Sequence, residues 1–161
     1  MDVKIKTENL KFKFRVSAIF IYEGYLLVNE YGSDGSFCLP GGYVNLGETS
    51  EEAMLRELKE EIGLEFKIDK FVGITENFFT NWRNQKTHGI DFYYKVDLKS
   101  IDDFNLIDYN RVENDNGSII THHFHLIDID KLDKFNLLPV VIKKDIVINN
   151  GIFHYIIKDN K

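Results

Sequence analysis

Glu57, Glu60 and Glu61 stand at i, i+3 and i+4, a spacing that puts three carboxylates on one stripe if the segment is helical. The surrounding residues predict that helix over 50–62. Thr49 followed by Glu52 is a capping-box pattern, Ala53 to Ile62 carries good helix formers, and Gly63 supplies the stop. On a 3.6-residue wheel Met54, Leu55, Leu58 and Ile62 share a broad apolar face, and the three glutamates lie about a third of a circle away. Like charges at this spacing repel by roughly 0.2–0.5 kcal/mol per pair. Arg56, with Glu52 and Glu60 at i−4 and i+4, relieves part of the repulsion, whereas Lys59 points elsewhere. A hard divalent cation would compensate the remainder, since magnesium takes oxygen ligands and binds through a few carboxylates plus substrate phosphates. On the helix alone, a merely solvated glutamate-rich face fits equally well. The preceding Gly41-Gly42 can be read as a simple turn, or as bare backbone that approaches a ligand or metal closely.

The charge balance sharpens this. The chain has 161 residues and a net charge of −6, yet Glu48 to Glu65 holds seven glutamates against Arg56 and Lys59. Nearly all the acidic excess is local, which favours cations there and argues against a nucleic acid polymer as partner. The length fits a single domain spanning 1–161. No apolar run is long enough for a bilayer and the start lacks the apolar core of a signal peptide, so the expectation is a cytoplasmic protein with no membrane partner. The single cysteine, Cys38, suits a reducing compartment and reads as a small buried strand residue.

The elements that must position the carboxylates follow from periodicity. Residues 11–22 alternate, with Phe12, Phe14, Val16, Ala18, Phe20 and Tyr22 on one face and Lys11, Lys13, Arg15 and Ser17 on the other. Glu23-Gly24 can turn this strand into Tyr25–Val28. Phe37–Leu39 is a short strand ended by Pro40. Residues 66–75, 90–98, 119–127 and 153–157 read as further strands. Residues 128–135 and 138–148 read as helices, the second with Pro139 near its first turn. The polar stretch 99–118 reads as a long loop, which in compact domains is often functional. The class is mixed α/β.

Read together, Gly42, Glu48, Arg56-Glu57-Leu58, Glu60-Glu61 and Gly63-Leu64 match every fixed position of the pattern G-x5-E-x7-R-E-U-x-E-E-x-G-U, with U aliphatic. This resembles the Nudix hydrolase family without a departure inside the motif. The match covers 23 residues, and Leu39-Pro40-Gly41-Gly42 and the segment 124–132 also look like family features. The resemblance implies an α/β/α sandwich with a mixed β-sheet. It also implies a Mg2+-dependent hydrolase, with Mn2+ as a substitute, that cleaves a diphosphate bond in a nucleoside diphosphate linked to another moiety. It assigns Glu57, Glu60, Glu61 and the Gly41 carbonyl to the metal, and Arg56, Glu57, Glu60 and Glu61 to catalysis, with Glu57 a candidate to orient or deprotonate the water. Glu48 would support the loop or help an outer metal. The rival reading is a non-catalytic nucleotide-binding or sensor module of the same fold; such relatives often lose box glutamates, whereas this chain retains all of them, which favours the enzyme. A homodimer is compatible with either.

In some relatives a further acid from a distal loop completes the metal site or acts as base; Glu113 is the candidate here and Glu76 an alternative, with a solvated loop acid the simpler expectation for both. His122, His123 and His125 invite a zinc reading, but no cysteine or paired-histidine motif accompanies them, and ordinary sheet residues are the simpler expectation. His88 is equally ambiguous. Phe78, Phe79, Trp82 and Arg83 could stack on a base; core packing or a loop anchor fits the two phenylalanines at least as well, and Trp82 is the better recognition candidate. Pro40 and Pro139 are the only prolines, so the proline that often follows the box in ADP-ribose-cleaving relatives is missing. Neither the coenzyme A nor the NADH enzyme pattern is present. Nucleoside triphosphates, nucleotide sugars and dinucleoside polyphosphates all remain open as the small-molecule substrate.

Overall fold

The chain, described by a computed structural model over residues 1–81, 84–115, 117–148 and 151–159, alternates strands with few helices. In chain order these are β1 (Lys4–Lys6), β2 (Leu10–Ile19), β3 (Ile21–Tyr22), β4 (Tyr25–Tyr31), β5 (Ser36–Cys38), α1 (Ser50–Glu61), β6 (Phe66–Thr80) and β7 (Lys86–Leu98). β8 (Val112–Asp115), β9 (Ser118–Thr121), β10 (Phe124–Asp128), β11 (Asn136–Leu138), α2 (Lys143–Ile148) and β12 (Phe153–Lys158) follow. Trp82 and Arg83 lie outside the described residues.

A mixed five-stranded sheet runs β1-β2-β7-β6-β12, with β2/β7 and β6/β12 parallel and the other pairs antiparallel. A second sheet runs β10-β4-β5-β11, with β3 on β4. Alternation along the strands makes two cores. Val16, Ala18, Tyr94 and Val96 face α1, whose Ala53, Met54 and Leu58, with the C-capping Ile62, are buried among them. Ile19, Tyr93 and Val72 face the other way, toward Leu137, Ile142, Ile146 and Phe153. One core on each face of a mixed sheet is the layering of an α/β/α sandwich. Each fully buried Leu, Ile or Met in these cores contributes about 1.5–3 kcal/mol, which anchors α1 and fixes where its other faces point. Among the described residues no helix is long and apolar enough to cross a membrane.

Several elements differ from the sequence expectation. The strand expected over 11–22 divides at Phe20, because β2 belongs to the first sheet and β3 to the second; Glu23 and Gly24, both at positive φ, then make the tight hairpin into β4. The strand expected over 119–127 breaks at His122-His123, where β9 pairs with β8 and β10 with β4. The helix expected over 128–135 is a 3-10 helix, Ile129–Lys134, started by an Asp128 side-chain cap. In the helix expected over 138–148, Leu138 ends a strand parallel to β5, a 3-10 turn covers Val140–Ile142, and only Lys143–Ile148 is α-helical. Backbone pairing with β5 outcompetes local helix propensity there. The stretch 99–118 contains a 3-10 helix, Ile101–Leu106, and β8.

Candidate active site

The loop Pro40–Glu48 is pinned at both ends. Val16 N–H donates to the Gly42 carbonyl and Val44 N–H to the Phe14 carbonyl, so the loop rides on β2. Gly41 sits at φ +143, and a Cβ there would overlap the Val16 carbonyl, so only glycine fits. A Cβ on Gly42 would overlap the Glu57 carboxylate. The glycine pair is therefore a close approach of backbone to α1, not merely a turn. Thr49 caps α1 and Glu52 bonds back to its N–H and hydroxyl, completing the capping box.

Arg56 ties the acidic segment together. Its Nε and Nη2 donate to the two oxygens of Glu48 at 2.8 and 3.0 Å, Nη1 donates to Glu57 at 2.8 Å and Glu60 at 2.9 Å, and Nη2 also reaches the Tyr43 carbonyl at 2.8 Å. The expected partner Glu52 is not among these, because the capping box holds it; Glu48, returned by the loop, takes its place. Arg56 holds the Glu48 carboxyl below the usual range.

Glu61 lies on the inner side of this array and is 8% exposed. One oxygen accepts the Gly41 N–H at 2.9 Å. Burial, reinforced by the Glu57 and Glu113 charges and opposed by that hydrogen bond and by Arg15, pushes its carboxyl up to about 8. Glu57 is also raised, chiefly by burial and against the pull of Arg56. A cavity of about 580 Å³ is lined by Glu57, Glu60, Glu61, Glu113, Asp2, Arg15, Arg56 and His122. Five carboxylates thus face two guanidiniums. The donor set is mostly oxygen, held by a cap, a glycine pair and one arginine, and it suits a hard divalent cation. Gly41 flanks the same cavity, its carbonyl accepting Arg15 Nη2 at 3.2 Å.

A second cavity of about 400 Å³ opens between the sheets, lined by Lys13, Arg15, Tyr31, Asn77, Phe78, Phe79 and Asp91 among others. Arg15 belongs to both cavities. It stands opposite Asp91 in the β2/β7 register; its Nε lies 4.0 Å from Asp91 Oδ1 and has no hydrogen-bond partner among the described residues. Burial, with Arg15 beside it, lowers Lys13 to about 8. Cys38 lines this cleft as a half-buried residue, not a fully buried one, and burial raises its thiol to about 11.

Glu57, Glu60, Glu61, Arg56 and Gly41 therefore come together, as does Glu113; Glu76 instead pairs with His154 at 2.7 Å. Of the histidines, His122 is buried against Glu61 and Glu113, while His123 and His125 turn outward to Asn110 and Glu30. His88 stacks on Phe78. The sequence reading did not single out Arg15, Asn77 or Asp91, and it took His122 for an ordinary sheet residue, whereas His122 is buried beside Glu61 and Glu113. The signal for Arg15 was a charged face on a strand that proves interior to its sheet, between β1 and β7.

The sequence model of the NUDIX domain matches residues 11–132. An ADP-ribose pyrophosphatase from Methanocaldococcus jannaschii is 41% identical over 64 residues, 40% of this chain and 36% of that protein. An RNA pyrophosphohydrolase from Blochmanniella floridana is 41% identical over 64 residues, 35% of this chain and 40% of that one. The chain thus aligns with well under half the length of these curated relatives. Among solved structures, a mutator MutT protein from Bacillus halodurans superposes with a TM-score of 0.62 at 15% identity, covering 89% of this chain and 90% of that one, a likeness of fold.

Proposed function

The chain belongs to the NUDIX family, and from that premise we propose that it is a Mg2+-dependent pyrophosphohydrolase acting on a nucleoside diphosphate linked to another moiety. The observation that carries the reading is the convergence of Glu57, Glu60, Glu61 and Glu113 on one cavity, with Glu61 buried there and accepting the Gly41 N–H, a set of acids arranged for a cation. Glu57, Glu60 and Glu61 would hold that cation, with the Gly41 carbonyl beside them. A bound magnesium ion supplies charge neutralisation on phosphoryl oxygens and a more acidic water.

The remaining work falls to the chain's own groups. Arg56 holds one oxygen of Glu57, whose carboxylate lies against Gly42, and the second oxygen would orient a water and take its proton. Arg15, which lines both cavities, would bind the phosphate chain of a substrate reaching from the carboxylates into the cleft. Phe78 and Phe79 offer stacking faces there, and Asn77 and Asp91 offer polar edges for the nucleoside half.

The test is incubation with Mg2+ and a panel of ADP-ribose, nucleotide sugars, nucleoside triphosphates and dinucleoside polyphosphates. A 5′-triphosphorylated oligoribonucleotide is included because one relative carries the name RNA pyrophosphohydrolase. The expected product is a nucleoside monophosphate with the second phosphorylated fragment, or with pyrophosphate from a triphosphate. Tight binding of a ligand that stays intact would overturn the enzymatic reading in favour of a sensor.

A further inference from the structure

Glu113 sits on β8, in a hairpin whose β9 residues are all exposed, yet its carboxylate lines the carboxylate cavity. A side chain on so lightly packed a hairpin needs something else to fix it. The contact that does so is His122, whose Nε2 lies 2.8 Å from Glu113 Oε2. His122 is itself 6% exposed and stacks on Phe124 at 5.6 Å between centroids, so its ring is held by packing.

The direction of this hydrogen bond follows from Asn29. The Asn29 Oδ1 accepts the His123 backbone N–H at 3.0 Å, which leaves Nδ2, the donor end, turned to His122 Nδ1 at 2.7 Å. An amide N–H facing Nδ1 makes that nitrogen an acceptor, so the ring proton sits on Nε2 and is donated to Glu113. The same geometry bears on a metal role for His122. Glu61, Glu113 and His122 form a group with ligand atoms within 4.8 Å of one another. However, Nδ1 is occupied by Asn29, and Nε2 carries the proton bonded to Glu113.

We propose that the Asn29–His122 pair is a positioning relay that aims Glu113 at the cation held by the box glutamates, so that β8 completes a site otherwise built from α1 and its loop. His122 acts through Glu113 and not as a ligand. The relay spans three elements: Asn29 on β4, His122 between β9 and β10, and Glu113 on β8. A partner that orients a ligand in this way typically governs 10–100-fold of metal affinity.

The inference rests on the proposed cation site, and the experiment separates the two. Mn2+ binding to the metal-free protein is followed by the electron paramagnetic resonance signal of free Mn2+, with unfolding midpoints recorded with and without MnCl2. No Mn2+ binding by the unaltered protein would remove the cation reading and the relay together. Given binding, Glu113→Gln and His122→Asn are each expected to weaken it about 10-fold or more, and the double variant is expected to be no weaker than Glu113→Gln alone. His122→Gln, which keeps an N–H donor at the ε position, is expected to recover affinity to within about 3-fold. A purely structural role would lower the metal-free midpoint equally in both His122 variants and leave the Mn2+-induced rise intact; that result overturns the relay. Unchanged Mn2+ affinity in Glu113→Gln does the same. Tighter Mn2+ binding in Asn29→Ala would mark His122 as a ligand freed at Nδ1, and would overturn it too.

Discussion

Glu61→Gln should make the metal-free protein more stable at alkaline pH while removing its affinity for divalent ions. The Glu61 carboxyl moves from an ordinary 4.5 to about 8 in the fold. Because the folded value is the higher one, the folded metal-free protein keeps a proton that the unfolded chain has already released. Its stability therefore falls as pH rises from about 4.5 through about 8 and levels off above that. At about 1.4 kcal/mol per pH unit, the full gap is on the order of 4–5 kcal/mol. Glutamine removes the charge and keeps an oxygen for the Gly41 N–H, at the expense of a charge-assisted hydrogen bond worth about 1–2 kcal/mol more than a neutral one. A net gain of about 2–4 kcal/mol at pH 8 remains, which for a chain of this size is a rise in Tm of roughly 5–15 °C. The assay is thermal unfolding of both proteins in EDTA from pH 5 to 9. The gap between them should be small at pH 5 and widen to pH 8. In excess MgCl2 the unaltered protein should recover, by about 2.7 kcal/mol at a hundred times Kd, and the variant should not. A variant that is less stable at pH 8, or a gap that does not change with pH, would refute the claim that burial of Glu61 outweighs the Gly41 N–H and Arg15 that oppose it.

Three further outcomes test neighbouring parts of the same argument. Glu57→Gln should lose about 10²–10⁴-fold in turnover with no fall in the metal-free Tm, as measured by initial rates at saturating Mg2+; equal turnover would remove Glu57 from the chemistry. Gly42→Ala meets no backbone strain, since Gly42 is absent from the positive-φ positions, but its methyl overlaps the Glu57 carboxylate. It should weaken Mn2+ binding about 10-fold or more while leaving the near-ultraviolet circular dichroism unchanged, an estimate set by the sensitivity of metal sites to ligand orientation. Arg56→Lys keeps the charge but cannot span Glu48, Glu57, Glu60 and the Tyr43 carbonyl together. A loss of about 2 kcal/mol in urea unfolding is expected, a figure discounted for the partial exposure of Arg56.

The parts of this protein that one element determines by itself could be read from its residues. The capping box, the apolar face of α1 and the carboxylate stripe depend only on i, i+3 and i+4 spacing, and all three appear where the spacing puts them. The turn at Glu23-Gly24 is likewise local. What could not be read depends on pairing between distant strands. His122 and Asn29 are 93 positions apart, and nothing in either neighbourhood announces that β4 and β10 will be adjacent. The same holds for Leu138, whose helical surroundings lose to a parallel partner in β5. Arg15 looked like one residue of a solvated strand face until the parallel β2/β7 register set it opposite Asp91, at the junction of two cavities.

Arg56 shows how local rules compete even inside one helix. Spacing offers it Glu52 and Glu60 equally. Glu52, however, has a better alternative, because the Thr49 N–H is an unpaired donor at the helix start and a carboxylate three residues on can reach it. With Glu52 taken, the guanidinium turns to Glu48, and by gripping both its oxygens it draws the loop against α1 and brings the Gly41 N–H to Glu61. Arg56 thereby neutralises Glu48, Glu57 and Glu60 on the outer side of the helix and reaches nothing on the inner side. The repulsion left over falls on Glu61, beside Glu113, where water is excluded and the metal-free fold holds a proton in place of a cation. A uniformly solvated acidic helix would spread its repulsion evenly; this one directs it to the point where a cation would gain most from it.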